Sequence, residues 1–412
     1  MSFDNFYSGL TAIQMEMLKS HLQSRFEFRK NKREFGVVFD ILHQCDLNCR
    51  GCGTNASFTS EKSVNVFTPS LEEIIRVFEK IKVYADNKSI PVFINIGGGE
   101  PFLRKDILKI LKTASEYFGV AGAGVDTNGT LDNSYDLIAN ALDFVSYVGI
   151  SINGLEEYHN WWVGNNKINA YQRSLSVVEK ICLDDINAGK IEVTSVASKK
   201  NIAELPDLMD KLKEIGVKNY SIHRAMPVGR MAHHSELIPD ANDYLRLLIA
   251  IIERSKTNGL AVHLHHSIES IHATLLLGLK TYVPDKIGNP DAGSSLGIEP
   301  EGHLVFDPWC TTGIWKTLSG GNIYEENADF ADIVEGTGGG TIFDLAKTYT
   351  APHLRCNGCP YDCSGGSRIA AVANALNGVD VSEITDSHIL DAMTTIDPAC
   401  PFFDINQEAT SK

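Results

Sequence analysis

The sequence predicts an α/β protein built on a parallel sheet, and two observations carry that prediction. From about Phe35 to Val228, short apolar runs alternate with longer amphipathic stretches, as in βα units. Most of these runs lead into loops rich in Gly, Asn, Ser or Cys, and in such sheets the loops after the strands gather on one face. A chain of 412 residues, 43% hydrophobic and 22% charged, has room for one large folded domain and a smaller one.

The N-terminal stretch 1–34 is expected to be a helical lead-in, with Arg29 to Arg33 a solvated basic segment before the first strand. Six strands are expected, at 36–42, 92–97, 123–127, 145–152, 191–197 and 219–225. Pro69-Ser70 opens a helix whose Leu71, Ile74, Ile75 and Phe78 share one face, and Asn201 precedes a second that stops at Gly216. A helix over Ala241 to Lys256 and an apolar strand through His263 complete a unit spanning 35–277. From 278 to 412 the texture turns Gly-rich and Cys-bearing, with a hairpin at 297–308 turning at Glu301-Gly302 and a flexible loop at 336–341. No internal repeat is found.

A formal net charge of -15 argues against a nucleic-acid partner, since phosphate binding needs clustered Lys and Arg. No run of about 18 apolar residues and no secretory signal stand out, so no membrane partner is expected and a cytoplasmic location is. There the nine cysteines read as metal ligands or redox groups rather than disulfides. Cys182, in an amphipathic stretch, reads as a core thiol. His263 and His265 share one strand face beside His266, without a third ligand to make a metal site.

Cys45, Cys49 and Cys52 follow directly on the first strand, so one loop presents three thiolates at its end. A structural zinc would need a fourth ligand, and His43 points back down the strand. A 4Fe-4S cluster on three thiolates keeps one iron free for a small molecule bound through an amine and a carboxylate.

This CxxxCxxC pattern resembles the radical SAM superfamily. The resemblance implies a partial (β/α)6 TIM-like barrel, a 4Fe-4S cluster on the three cysteines, and S-adenosyl-L-methionine cleaved reductively to a 5'-deoxyadenosyl radical. Gly97-Gly98-Gly99-Glu100-Pro101 matches the family's methionine-binding loop, where glycines allow close backbone approach and a carboxylate meets an ammonium. Thr127-Asn128-Gly129 matches its TNG segment, and Ser151 and Asn153 fall where relatives contact the ribose. Asn153 replaces an acid there, and Val163 stands where arginine is common in the segment His159 to Gly164. Trp161 and Trp162 either wall the pocket or pack in the core. Met226 to Arg230 is similar to a PxGR segment of the subfamily that carries a SPASM extension.

Cys356, Cys359 and Cys363, followed by Cys400, resemble that SPASM or twitch-like extension. The spacing departs from the pattern: the second gap is three residues rather than five, and Ser367 takes a cysteine's place. Carried over by position, Cys356, Cys359, Cys363 and Cys400 imply one auxiliary 4Fe-4S cluster, although four thiolates also suit tetrahedral zinc. Cys310 stays unassigned between an extra ligand and a hydrogen donor. The resemblance implies an enzyme reduced by an electron donor such as flavodoxin or ferredoxin. Its substrate would be a ribosomally synthesised peptide, or alternatively a small molecule of an antibiotic, cofactor or haem-related pathway. A non-catalytic Fe-S or zinc scaffold is the reading from another class.

Overall fold

The computed structural model describes residues 6–30, 34–58, 67–165, 167–264, 268–279, 295–305, 307–309, 320–335, 368–376, 379, 383–393 and 395–401. The strands are β1 (Phe35–Asp40), β2 (Gln44–Cys45), β3 (Ser57–Phe58), β4 (Val92–Gly97), β5 (Ala123–Thr127) and β6 (Tyr147–Ser151). They continue as β7 (Ile191–Ala197), β8 (Asn219–Arg224), β9 (Ala261–Leu264), β10 (Ser295–Ile298) and β11 (Leu304–Val305). Nine of them form one open sheet in the order β11-β10-β1-β4-β5-β6-β7-β8-β9. All its pairings are parallel apart from the β10–β11 hairpin.

Helices α1 (Ala12–Lys30), α2 (Leu71–Lys88), α3 (Ile107–Phe118), α4 (Ser134–Ala141) and α5 (Glu156–Val163) precede β7 together with α6 (Ala170–Cys182) and α7 (Asp185–Ala188). α8 (Leu205–Glu214) and α9 (Ala241–Asn258) follow it. α2 starts where its capping box puts it: Ser70 Oγ accepts from Glu73 N at 3.2 Å and Glu73 accepts from Ser70 N at 2.7 Å. Period-two alternation then divides the sheet. Val37, Phe39, Ile94, Ile96, Val125 and Ile150 are fully buried in one core with Phe78, Ile81 and Leu111 of the helices. The opposite, inner face carries polar groups, among them Asp40, Asn95, Asp126, Tyr147 and His223.

Strands 92–97, 123–127 and 191–197 fall at the expected residues. Beyond the six strands of the βα array, the expected strand through His263 is β9, which extends one edge of the sheet, while β10 pairs with β1 at the other. β10 is only four residues long, too short for a periodicity that marks it out in sequence. It does open the expected hairpin, with Gly302 N donating to Glu299 O at 2.8 Å. α8 begins later than Asn201, whose side chain instead accepts from Ser198 N at 2.7 Å. Arg29 and Lys30 close α1, and 31–33 lie outside the described residues. His265, His266, Cys310, Cys356, Cys359, Cys363 and the 336–341 loop lie outside the described residues. Among the described residues no helix is long and apolar enough to cross a membrane.

Candidate metal and cofactor site

Cys45 ends β2 and is buried, while Cys49 and Cys52 are half-buried on the loop that follows. Backbone N–H groups already point at two of the sulfurs: Leu47 N lies 3.4 Å from Cys45 Sγ and Ala56 N lies 3.3 Å from Cys52 Sγ. The loop is clamped from several strand ends. After β6, the last carbonyls of α5 find no partners within their own helix, and they accept from the loop. Arg50 Nε reaches Trp161 O at 3.1 Å, Arg50 N reaches Trp162 O at 2.9 Å, and Asn48 N reaches Val163 O at 3.0 Å. After β8, Arg230 donates from Nε to Cys49 O at 2.7 Å and from its backbone N to Cys52 O at 2.9 Å. Trp162 backs Gly51 and Trp309 backs Gly53 closely enough to exclude a side chain at either position.

The Gly98-Gly99-Glu100-Pro101 segment clamps the same loop after β4. Gly99 N donates to Leu42 O and Glu100 N to Gln44 O, each at 2.8 Å. A Cβ on Gly98, at φ 118°, would sit 2.4 Å from Leu42 O, and one on Gly99 would sit 2.0 Å from Gln44 O. These glycines therefore admit the backbone that leads into Cys45, a requirement separate from any ligand. The fully buried Glu100 carboxylate accepts from Phe102 N at 3.1 Å, Thr127 Oγ1 at 2.8 Å and Asn128 N at 2.7 Å. It thus ties the loop after β4 to the one after β5, and burial pushes its carboxyl up to about 7 against the pull of those donors.

Ser151 Oγ, at the end of β6, lies 3.5 Å from Thr194 Oγ1. Asn153 is buried, accepting on Oδ1 from Val196 N at 2.8 Å and donating from its backbone N to His159 Nδ1 at 3.0 Å. The missing acid at 153 is thus an amide that ties β6 to β7. Val163 takes part through its backbone carbonyl, so the arginine that is absent there is not needed for the clamp. Trp162 is core, whereas half-buried Trp161 lies between Arg50, 4.7 Å from the ring centroid, and Lys200, 3.7 Å from it. The Arg50, Arg230 and α5 contacts were not foreseen from sequence; the signal was the PxGR segment and a glycine directly after α5.

Burial, with Cys49 and Glu100 nearby, drives the Cys45 thiol well above its usual range. Burial and Cys52 push Cys49 up to about 12 while Arg230 pulls it down. Two thiols raised in this way ionise together only around a cation, and a bound metal deprotonates its thiols. Among the described residues no three His, Cys, Asp or Glu side chains converge as the ligands of one metal ion would. Three thiolates on one loop are one ligand short of a closed structural zinc site.

A family profile described as the Radical SAM superfamily matches residues 40–187, from the end of β1 through α7. The chain carries a radical SAM domain. That domain contains the cysteine loop, the Gly98–Pro101 segment, Thr127-Asn128, Ser151 and α5. The chain is 26% identical over 197 residues to the pre-heme d1 synthase of Dinoroseobacter shibae, covering 47% of this chain and 44% of that one. It is 25% identical to the AdoMet-dependent heme synthase of Methanosarcina barkeri, covering 53% and 58%, and 24% identical to the PqqA peptide cyclase of Methylobacterium nodulans, covering 54% of each. It spans about half the length of these curated relatives. The fold extends beyond the radical SAM domain: Streptococcus suis SuiB, crystallised bound to S-adenosylmethionine, matches with a TM-score of 0.62 over 90% of this chain and 80% of that one, at 15% identity.

Past the radical SAM domain, Cys400 is half-buried and donates from its backbone N to Asp397 O at 2.9 Å. The Asp397 carboxylate forms a bidentate pair with Arg224 at the end of β8, at 2.7 and 2.8 Å, with both side chains buried. Cys182 is half-buried at the end of α6 and packs against the main core, where burial pushes its thiol up to about 11.

Proposed function

We propose that the chain is a cytoplasmic radical S-adenosylmethionine enzyme that modifies a ribosomally synthesised peptide. Cys45, Cys49 and Cys52 would hold a 4Fe-4S cluster, with S-adenosyl-L-methionine between it and Gly98–Pro101, Thr127-Asn128, Ser151 and Asn153. Bound there, the pair supplies a 5'-deoxyadenosyl radical by one-electron reductive cleavage, and that radical takes a hydrogen atom from a substrate carbon. The chain's own residues place the reactants and exclude water. One observation carries this reading: segments after β4, β6 and β8 grip a three-cysteine loop from separate sides.

Cys356, Cys359, Cys363 and Cys400 would hold one auxiliary 4Fe-4S cluster that accepts an electron from the substrate radical. Support comes from the buried Arg224–Asp397 pair, which anchors the Cys400 segment to β8. Cys310 would add a ligand or donate a hydrogen atom, and its neighbour Trp309 packs on Gly53 of the cysteine loop. An acidic electron donor such as flavodoxin or ferredoxin suits the cations Arg50 and Lys200 that flank Trp161 beside that loop.

The second reading, oxidation or rearrangement of a haem-related small molecule, draws on the two haem-pathway relatives. Asp40 interacts electrostatically with Glu299, Asp126 and Glu301, and Asp40 and Asp126 lie on the sheet's inner face. Such a lining favours a peptide's amines and amides over the several carboxylates of a tetrapyrrole. The test is anaerobic purification with iron and sulfide counting, then a dithionite assay for 5'-deoxyadenosine. Wild type should hold the iron of both clusters and release the nucleoside, whereas the Cys45/Cys49/Cys52 triple alanine variant should lose one cluster's share of the iron and release no nucleoside. Zinc in place of iron, or release unchanged in the variant, would overturn the reading.

A further inference from the structure

Asn128, on the loop after β5, has every polar group engaged, and its amide has only one orientation available. Its Oδ1 accepts from Thr130 N at 2.9 Å, and Thr130 Oγ1 lies 2.7 Å from it. Thr130 is itself buried, and its hydroxyl donates its one proton to Asp46 Oδ2 at 2.5 Å. With its oxygen held by the Thr130 N–H, the amide turns Nδ2 toward the cysteine loop. Nδ2 donates to Asp46 Oδ1 at 2.7 Å and lies 3.8 Å from Cys45 Sγ. The backbone is fixed as well, by Asn128 N donating to Glu100 Oε2 at 2.7 Å and by Ser174 Oγ donating to Asn128 O at 2.6 Å.

Asp46 therefore stands beside the first cysteine, with an oxygen 3.8 Å from Cys45 Sγ. With the thiol ionised on a metal, those two atoms are both anionic, and the Asn128 amide is the donor shared between them. The potential of an Fe-S cluster depends on local charge and on hydrogen bonds to its sulfurs. A donor to sulfur favours the reduced, more negative state, and a carboxylate next to it opposes that state.

We infer that Asn128 and Asp46 form a pair of positioning residues that set the reduction potential of the cluster on Cys45, Cys49 and Cys52, in opposite directions. The inference rests on the radical S-adenosylmethionine reading and assigns Asn128 to the cluster's own cysteine rather than to the cofactor alone. Thr130 fixes the orientation of the pair.

The experiment is an EPR-monitored redox titration of the full chain, reconstituted anaerobically without S-adenosylmethionine, with iron and sulfide counted in every sample. Asp46→Asn should raise the midpoint and Asn128→Asp should lower it. Each change should be about tenfold in the reduction equilibrium, ~59 mV for one electron. A purely structural role would not move two nearly isosteric variants in opposite directions at equal iron content. Unmoved midpoints, or shifts of one sign, would overturn the inference while leaving the cluster in place. A wild type without iron would instead overturn the functional reading, and this inference with it. If Asn128→Asp fails to load iron, Asn128→Ala removes the donor without adding charge, and its midpoint must also fall.

Discussion

Asp40 ends β1 on the inner face, fully enclosed, and burial together with Glu299, Asp126 and Glu301 pushes its carboxyl up to about 8. It holds its proton in the folded state over a range where the unfolded chain, with an ordinary pKa of about 3.9, has lost it. The folded state thus binds more protons, and this contribution to stability is complete below about pH 4 and lost as pH rises through about 8. Asp126, raised by burial to about 6, adds to the same slope over its lower part. Asp40→Asn keeps the shape and removes the titration, so melting temperatures should fall less between pH 5 and 8.5 than in wild type; parallel curves would refute the account. Gly99 illustrates the steric side of the same scale. Gly99→Ala places a methyl against Gln44 O and should cost about 1–3 kcal/mol and reduce iron loading. Gly9→Ala, with nothing within 4 Å of the added carbon, should change neither. Sequence shows that residues 97–99 are glycines, but the backbone they admit lies more than 50 positions away in chain order and is set by the β1–β4 register.

Elements carry the next layer, and α5 is the instructive one. Its final carbonyls and the N–H groups of the cysteine loop satisfy one another, so neither can be rebuilt alone. Gly164 makes this possible at φ 65°, where a Cβ would meet Asn48 O at 2.6 Å. Gly164→Ala should destabilise by roughly 1–3 kcal/mol and speed hydrogen exchange at residues 48–53, whereas Ser70→Ala at the α2 cap should cost about 1 kcal/mol and leave that exchange unchanged. Equal exchange in both variants would contradict the shared clamp. Much of the fold at this scale is legible locally: Ser70 and Glu73 announce α2, and alternation gives 92–97 and 191–197 residue for residue. The cysteine trio is legible too, because its spacing is contiguous. What α5 does is not, since its contribution is backbone carbonyls and any side chain at Val163 would leave them in place. The hairpin that β10 opens is legible, but its pairing with the far side of β1 is hidden, because four residues leave no local period to mark it.

On the scale of the whole molecule, the Arg224–Asp397 pair joins the end of β8 to the segment bearing Cys400 across 173 positions. Both groups are buried, so removing either one strands the other's charge and should cost about 3–5 kcal/mol in chemical denaturation. The Arg224→Met, Asp397→Leu double variant should recover most of that loss; additive losses would show that the pair is not acting as a unit. Charge also has a distribution at this scale. The chain carries a formal net charge of -15, yet Arg50 and Lys200 flank Trp161 beside the cysteine loop, and Arg230 holds the loop's carbonyls. If an acidic electron-transfer partner serves the proposed cluster, such a cationic spot on an acidic molecule would orient it toward the cysteine loop and raise its encounter rate, an effect screened over about 8 Å at physiological salt. Lys200 is the residue to change, because its side chain lies on the Trp161 ring and takes no part in the loop clamp. Lys200→Glu should slow reduction by flavodoxin several-fold at low ionic strength in stopped-flow measurements and leave reduction by dithionite, a small reductant, unchanged. Raising the salt to about 0.5 M should bring wild type and variant together, as the Debye length shrinks below the size of the patch. Equal flavodoxin rates at low salt would place the electron's entry elsewhere on the surface.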